Sequence, residues 1–132
     1  MRTALIAMTM VPALAIAGCA TYRDAPIVDA EIVRSDGLAA IGEATRVGTL
    51  VVTPQHLVED SRCPMNARCI WAGRVVVTAR IDGAGWRETK NLILGEPVET
   101  HGRSLTLTSA SPDKQTGVEV AEDEYLFGFE GG

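Results

Sequence analysis

Between Arg74 and Asp82 the chain alternates with a period of two: Val75, Val77, Ala79 and Ile81 fall on one side, and Arg74, Thr78, Arg80 and Asp82 on the other. Successive side chains of an extended strand point to opposite faces, whereas a helix would space its apolar residues three and four apart. The segment therefore predicts a strand with one buried and one wet face. Asp82-Gly83-Ala84-Gly85 follows as a turn, because glycine admits the positive φ that tight reversals need, and Trp86 to Leu94 is the returning strand. The same short period recurs in Thr49 to Thr53 running on toward Val58, in Arg103 to Thr108 with Leu105 and Leu107 inward, and in Glu124 to Glu130 with Tyr125, Phe127 and Phe129 aligned. Five to seven such strands predict an all-β fold, a small antiparallel β-sandwich or barrel-like domain over residues 43–132. Residues 27–33 form a possible first strand, interrupted soon afterwards by Asp36-Gly37 and Gly42.

A chain of 132 residues holds one such domain, and its balance of 12 basic to 17 acidic residues gives a net charge of -5. No block of Lys or Arg is present. Nucleic acid is excluded as an expected partner, since that affinity rests on neutralising phosphates.

The first 18 residues differ from the rest, with a positive Arg2, an apolar run from Ala4 to Ala17 and no acidic residue. As a helix this run would be about 21 Å long, short of the roughly 30 Å hydrocarbon core, and Pro12 would disturb it. The parts are those of an export signal that is removed after translocation. The exit sequence Ile16-Ala17-Gly18-Cys19 resembles the lipobox of bacterial lipoproteins. That resemblance implies cleavage before Cys19, a diacylglycerol on the Cys19 thiol and usually an acylated amine. Two or more acyl chains hold a protein to a membrane where a single one does not. Residues 19–42 then serve as lipidated terminus and flexible spacer. Ala20 in place of the Asp that retains enterobacterial lipoproteins at the inner membrane implies an outer-membrane location facing the periplasm.

Once Cys19 is lipidated, Cys63 and Cys69 are the two remaining thiols, and in an oxidising compartment they predict one short-range disulfide. Pro64 and Asn66 help to turn the intervening chain. Trp71, just after Cys69, is expected to pack on the sulfurs or cap one end of the core. The surrounding Asp60-Ser61-Arg62-Cys63-Pro64 and Cys69-Ile70-Trp71-Ala72-Gly73 resemble a motif of uncharacterised exported bacterial proteins, in which Asp-Ser-Arg-Cys-Pro and Cys-x-Trp-Ala-Gly flank a short gap. The looser resemblance extends over most of the mature chain, including the late Tyr125-Leu126-Phe127. It implies a β-rich envelope domain and no particular reaction.

Three functional classes compete for this chain. A copper or zinc site could use Cys63, Met65 and Cys69 with His56 or His101, but the two Cys lack the usual Cys-x-x-Cys spacing and the histidines are distant in sequence. An enzyme is not expected: no Gly-x-Ser-x-Gly, His-Glu-x-x-His, phosphate-binding glycine loop or Cys-x-x-Cys occurs. An unrecognised hydrolase would have to draw on the two histidines or on acidic runs such as Glu59-Asp60 and Glu122-Asp123-Glu124, which read more simply as ordinary surface groups. The third class is a structural or protein-binding module with no cofactor, its partners the membrane and an envelope protein. The loop would present Arg62, Met65, Asn66 and Arg68. Mass spectrometry of the native protein is expected to show acyl groups on Cys19, and an intact leader would overturn the export reading.

Overall fold

The structure, a computed structural model, describes residues 32–132. The leader 1–18, the lipid attachment site Cys19, Ala20 and the stretch of residues 27–31 assigned to a possible first strand lie outside the described residues. Nine strands follow one another: β1 (Ile32–Arg34), β2 (Leu38–Ala39), β3 (Ala44–Val47), β4 (Leu50–Asp60), β5 (Val75–Gly83), β6 (Trp86–Ile93), β7 (Pro97–Thr100), β8 (Arg103–Ser111) and β9 (Leu126–Gly131). They form a five-stranded sheet in the order β1-β3-β4-β5-β6 and a four-stranded sheet in the order β2-β9-β8-β7. All pairings are antiparallel except β1 with β3. Residues 32–39 thus contribute a strand to each sheet, so the folded unit reaches into the stretch that the sequence assigned to the spacer.

The core lies between the sheets. Val75, Val77, Ala79 and Ile81 of β5, with Leu50 and Val52 of β4, meet Leu105 and Leu107 of β8 and Phe127 and Phe129 of β9. The inward set expected from the alternation of β5 is therefore the observed one, and the pairing of β5 with β6 runs in register from Val76 opposite Ile93 to Gly83 opposite Trp86. The reversal itself is tighter than the four residues expected, consisting of Ala84-Gly85, with Gly85 at φ 75.

Three irregularities decide which residues face inward where simple alternation would mislead. In β4 the register shifts between Pro54 and His56 and again between Leu57 and Glu59. A bulge adds one residue to one strand and flips the faces beyond it. His56 and Val58 are consequently exposed, Leu57 packs on the core, and the second shift returns Asp60 to the inner face opposite Val75. In β8 a shift between Leu107 and Ser109 brings Ala110 inward in the same way.

The outer face of the larger sheet is not simply wet. Arg46, Val51, Asp82 and Arg87 stand opposite one another in a row across β3, β4, β5 and β6. Alternation puts Asp82 on the solvent side, yet it is fully buried. Arg87 Nε donates to its Oδ1 at 2.6 Å and Arg80 Nε to its Oδ2 at 3.2 Å, so the arginine stems cover the carboxylate while their heads neutralise it. Replacing Asp82 by Asn keeps the shape but removes the buried carboxylate on which Arg80 and Arg87 converge, which is expected to cost about 3 kcal/mol or more and to lower the melting temperature by about 10 °C or more. A melting temperature within about 2 °C of the parent would show that the row carries no such coupling.

Candidate functional site

The sandwich has two unlike ends. At one, the tight turns Gly48-Thr49, Ala84-Gly85 and His101-Gly102 gather; at the other lie the segment 61–74 between β4 and β5 and the segment 112–125 between β8 and β9. The second end contains the motif singled out in the sequence, and its geometry explains most of that motif.

Asp60 is the centre. Its side chain is 7% exposed, and it accepts from Arg62 Nε at 2.8 Å, Arg62 Nη2 at 2.9 Å and the Tyr125 hydroxyl at 2.7 Å. Arg62 in turn donates through Nη1 to the Ala110 carbonyl at 2.8 Å and through Nη2 to the Pro112 carbonyl at 3.0 Å. Lys114 Nζ reaches the Asp60 carbonyl at 2.7 Å. The end of β4 in one sheet is thereby tied to the end of β8 and the start of β9 in the other. Burial pushes the Asp60 carboxyl upward, but the hydrogen bonds from Arg62 and Tyr125 and the guanidinium charge outweigh it and hold the group down at about 2. The same burial, together with the bond to Asp60, raises the Tyr125 hydroxyl.

The rest of the motif closes the base of the loop. Ser61 N donates to the Arg74 carbonyl at 2.8 Å, and Arg74 N donates to Ser61 Oγ at 3.0 Å. Arg74 Nε pairs with Glu59 Oε2 at 2.6 Å, which draws the Glu59 carboxyl below its ordinary range. Gly73 has φ 65 and lies against the Ser61 carbonyl, where no side chain would fit. Cys63 and Cys69 are joined in a disulfide with their Cα atoms 5.7 Å apart, as the cysteine arithmetic predicted. Farther out, Met65 N donates to the Lys114 carbonyl at 2.8 Å and Thr116 N to Asn66 Oδ1 at 2.8 Å. The loop is thus braced against the neighbouring 112–125 segment.

The residues that project differ from those expected to. Arg62 is turned inward and consumed by Asp60 and two carbonyls, while Asn66 is exposed as expected and accepts from Thr116 N through Oδ1. Arg62 is therefore no free recognition group in this arrangement. Met65 and Arg68 are exposed as expected. Trp71 does not cap the core: it is 62% exposed, Ile70 beside it 97% and Met65 71%. The sequence signal for this was present, since Ile70-Trp71 belongs to no alternating strand, but a Trp beside a cystine is read more readily as packing.

His56 and His101 stand apart. His56 is exposed, with Nδ1 at 3.7 Å from Glu122 Oε1, while His101 stacks on Trp86 at the turn-bearing end with ring centroids 3.9 Å apart. Cys63 and Cys69 hold no thiolate for a metal while oxidised, and among the described residues no group of three or more His, Cys, Asp or Glu side chains gathers in a metal-holding arrangement. In the acidic run, Glu122 acts locally, its Oε1 accepting from the backbone N–H of Leu57 between the two irregularities of β4. Comparison with protein families, with curated proteins and with solved structures gives no match.

The Asp60 carboxyl, held at about 2 against an ordinary value of 3.8, stabilises the folded state fully above about pH 4, and this contribution is lost as pH falls through about 2. Asp60→Asn is expected to cost about 3 kcal/mol at neutral pH by stranding Arg62, and to flatten part of the acid limb of a denaturation series. Cys63→Ser/Cys69→Ser is expected to cost about 2 kcal/mol, given the short ring. Denaturant unfolding measures both, and an unchanged midpoint for Asp60→Asn would remove Asp60 from the centre of this end.

Proposed function

We propose that the chain is a bacterial envelope lipoprotein, anchored through lipidated Cys19 and facing the periplasm from the outer membrane, whose domain is a non-enzymatic module that binds an envelope protein through the 61–74 loop. The observation that carries the reading is the exposure of Met65, Ile70 and Trp71 on a loop braced by a disulfide, the Asp60–Arg62 pair and the bonds to 112–125. Leaving Ile70 almost wholly in water has no benefit to the isolated fold, and large apolar side chains grouped on a surface mark sites of association. A braced loop loses little conformational freedom on binding, and Trp is prominent among residues that dominate interface energies. The recognition group is therefore apolar, with Arg68 as its charged neighbour, and the inward Arg62 is its support, with the exposed Asn66 tied to Thr116.

This assignment differs from the sequence expectation in its residues and agrees with it in its loop. The lipobox and the Asp-Ser-Arg-Cys-Pro and Cys-x-Trp-Ala-Gly resemblance support the envelope location. The supporting network also accounts for why such a motif would be kept as a unit: Asp60, Ser61, Arg62, Cys63, Cys69 and Gly73 all shape the loop that displays Ile70 and Trp71.

Ile70→Ser/Trp71→Ser should leave the melting temperature close to that of the parent, because both side chains are exposed. Cross-linking in intact cells, followed by affinity purification, is expected to give one envelope protein with the parent and to lose it with this variant. Retention of the same partner by the double variant, or no specific partner with either, would overturn the proposal.

A further inference from the structure

The opposite end of the sandwich holds a cavity of about 500 Å³ that the loop does not touch. Arg46, Thr49 and Leu50 from the β3–β4 hairpin, Trp86 from the start of β6, and His101 and Arg103 from the β7–β8 hairpin line it. Three features distinguish it from an ordinary gap between turns.

First, the charge is one-sided. Although the whole chain carries a net charge of -5, no Asp or Glu lines this cavity. Elsewhere, with the exception of Arg68 on the loop, the described arginines meet acids: Arg34 with Asp36 at 2.9 Å, Arg62 with Asp60 at 2.8 Å, Arg74 with Glu59 at 2.6 Å, Arg80 with Asp82 at 3.2 Å and Arg87 with Asp82 at 2.6 Å. Arg46 makes no hydrogen bond or ion pair among the described residues, and Arg103 makes one long contact, from Nη1 to the Gly132 carbonyl at 3.4 Å. Arg46, with no partner among the described residues, and Arg103, with only its 3.4 Å contact to a Gly132 oxygen, create a local positive field in an acidic molecule.

Second, the aromatic wall is built and held. A Cβ at Gly83 would collide with the indole of Trp86, so the glycine leaves room for the ring. His101 stacks on the indole with an interplanar angle of 15°. To reach that place it takes φ 47 ahead of Gly102 at φ 75, a pair of positive angles for which Asn-Gly is the usual choice. A non-glycine residue in the left-handed region costs about 1 kcal/mol, and here it carries the imidazole to the cavity.

Third, the wall is anchored from behind. Thr100 Oγ1 donates to Glu88 Oε2 at 2.6 Å, Lys90 Nζ donates to the Glu99 carbonyl at 2.9 Å, and His101 Nε2 lies 3.6 Å from Glu88 Oε2. These bonds stitch β6 to β7 across the two sheets, so the cavity is formed before any ligand arrives.

We propose that this cavity binds a small oxyanion, carboxylate or phosphate, carried on a sugar-sized ring. The guanidinium fork matches both oxyanions in geometry and charge, and the stacked Trp86–His101 wall offers a rigid surface to the ring. The size suits one such ring, since small-molecule sites run from about 300 to 1,000 Å³. The site is separate from the loop and would operate whether or not the loop has a partner.

The full-length Trp71→Phe protein keeps Trp86 as its sole tryptophan and reports on the cavity by fluorescence, with calorimetry on the same samples registering binding that leaves the indole unperturbed. Glucuronate and glucose 6-phosphate are the probes, with glucose as the uncharged control. At least one charged probe is expected to bind saturably at millimolar concentration or below, glucose far more weakly, and added salt should weaken the binding. Arg103→Gln and Arg46→Gln, both exposed positions, should each weaken it about tenfold with the melting temperature unchanged. Binding of glucuronate alone or glucose 6-phosphate alone identifies the oxyanion as carboxylate or phosphate. The proposal is overturned by the absence of heat and fluorescence change with both charged probes, by equal binding of glucose, or by arginine variants that bind as the parent does.

Discussion

A single carboxylate, turned inward at the end of a strand, sets the organisation of the loop-bearing end of this protein. Asp60 reaches the inner face because the second register shift of β4 cancels the first, and its burial is tolerable only because Arg62 and Tyr125 bond to its oxygens. Arg62 then has donors to spare for the Ala110 and Pro112 carbonyls. One ion pair therefore joins the two sheets where their hydrogen-bond ladders end and determines where the following loop departs. The disulfide adds a covalent clamp farther out. The apolar tip is displayed because everything beneath it is already committed.

The two ends solve the problem of sandwich closure in different ways. The loop end uses buried charge and a cystine. The turn end uses short reversals, a stacked pair of rings and the stitching of Glu88 by Thr100. Both leave groups directed at solvent that the fold itself does not need: large apolar side chains at one end, exposed arginines without an Asp or Glu partner at the other. Such a division would allow one end to engage a protein while the other holds a small anion, as proposed above.

Much of the sheet architecture is legible in the alternation of β5, β8 and β9, because one-sided burial forces every second residue to be apolar. The elements missed are those without that pattern. β2 has only two residues, β3 and β7 four each, and their pairing is set by neighbours rather than by their own composition. Asp82 escapes the alternation because period two assigns a face and not an environment: the outward side of β5 is dry at that point, covered by arginine stems from its own strand and the next. Of the loop site, the cystine followed from counting sulfurs, whereas the inward turn of Arg62 depended on carbonyls some fifty residues ahead, which no local pattern encodes. The turn-end cavity left still less trace, since Arg46, Trp86, His101 and Arg103 come from three hairpins.

The amino-acid order alone determined the longer alternating strands, the place of the β5–β6 reversal and the sulfur pairing, because each depends on periodicity, backbone freedom or counting within a short span. Tertiary structure alone decided which side of a bulge faces the core, that Arg62 and Asn66 brace while Ile70 and Trp71 project, and that two arginines converge on a ring stack. The reason is physical: bulges, buried ion pairs and cavities are formed by groups distant along the chain, and their energies depend on which groups become neighbours after the sheets close.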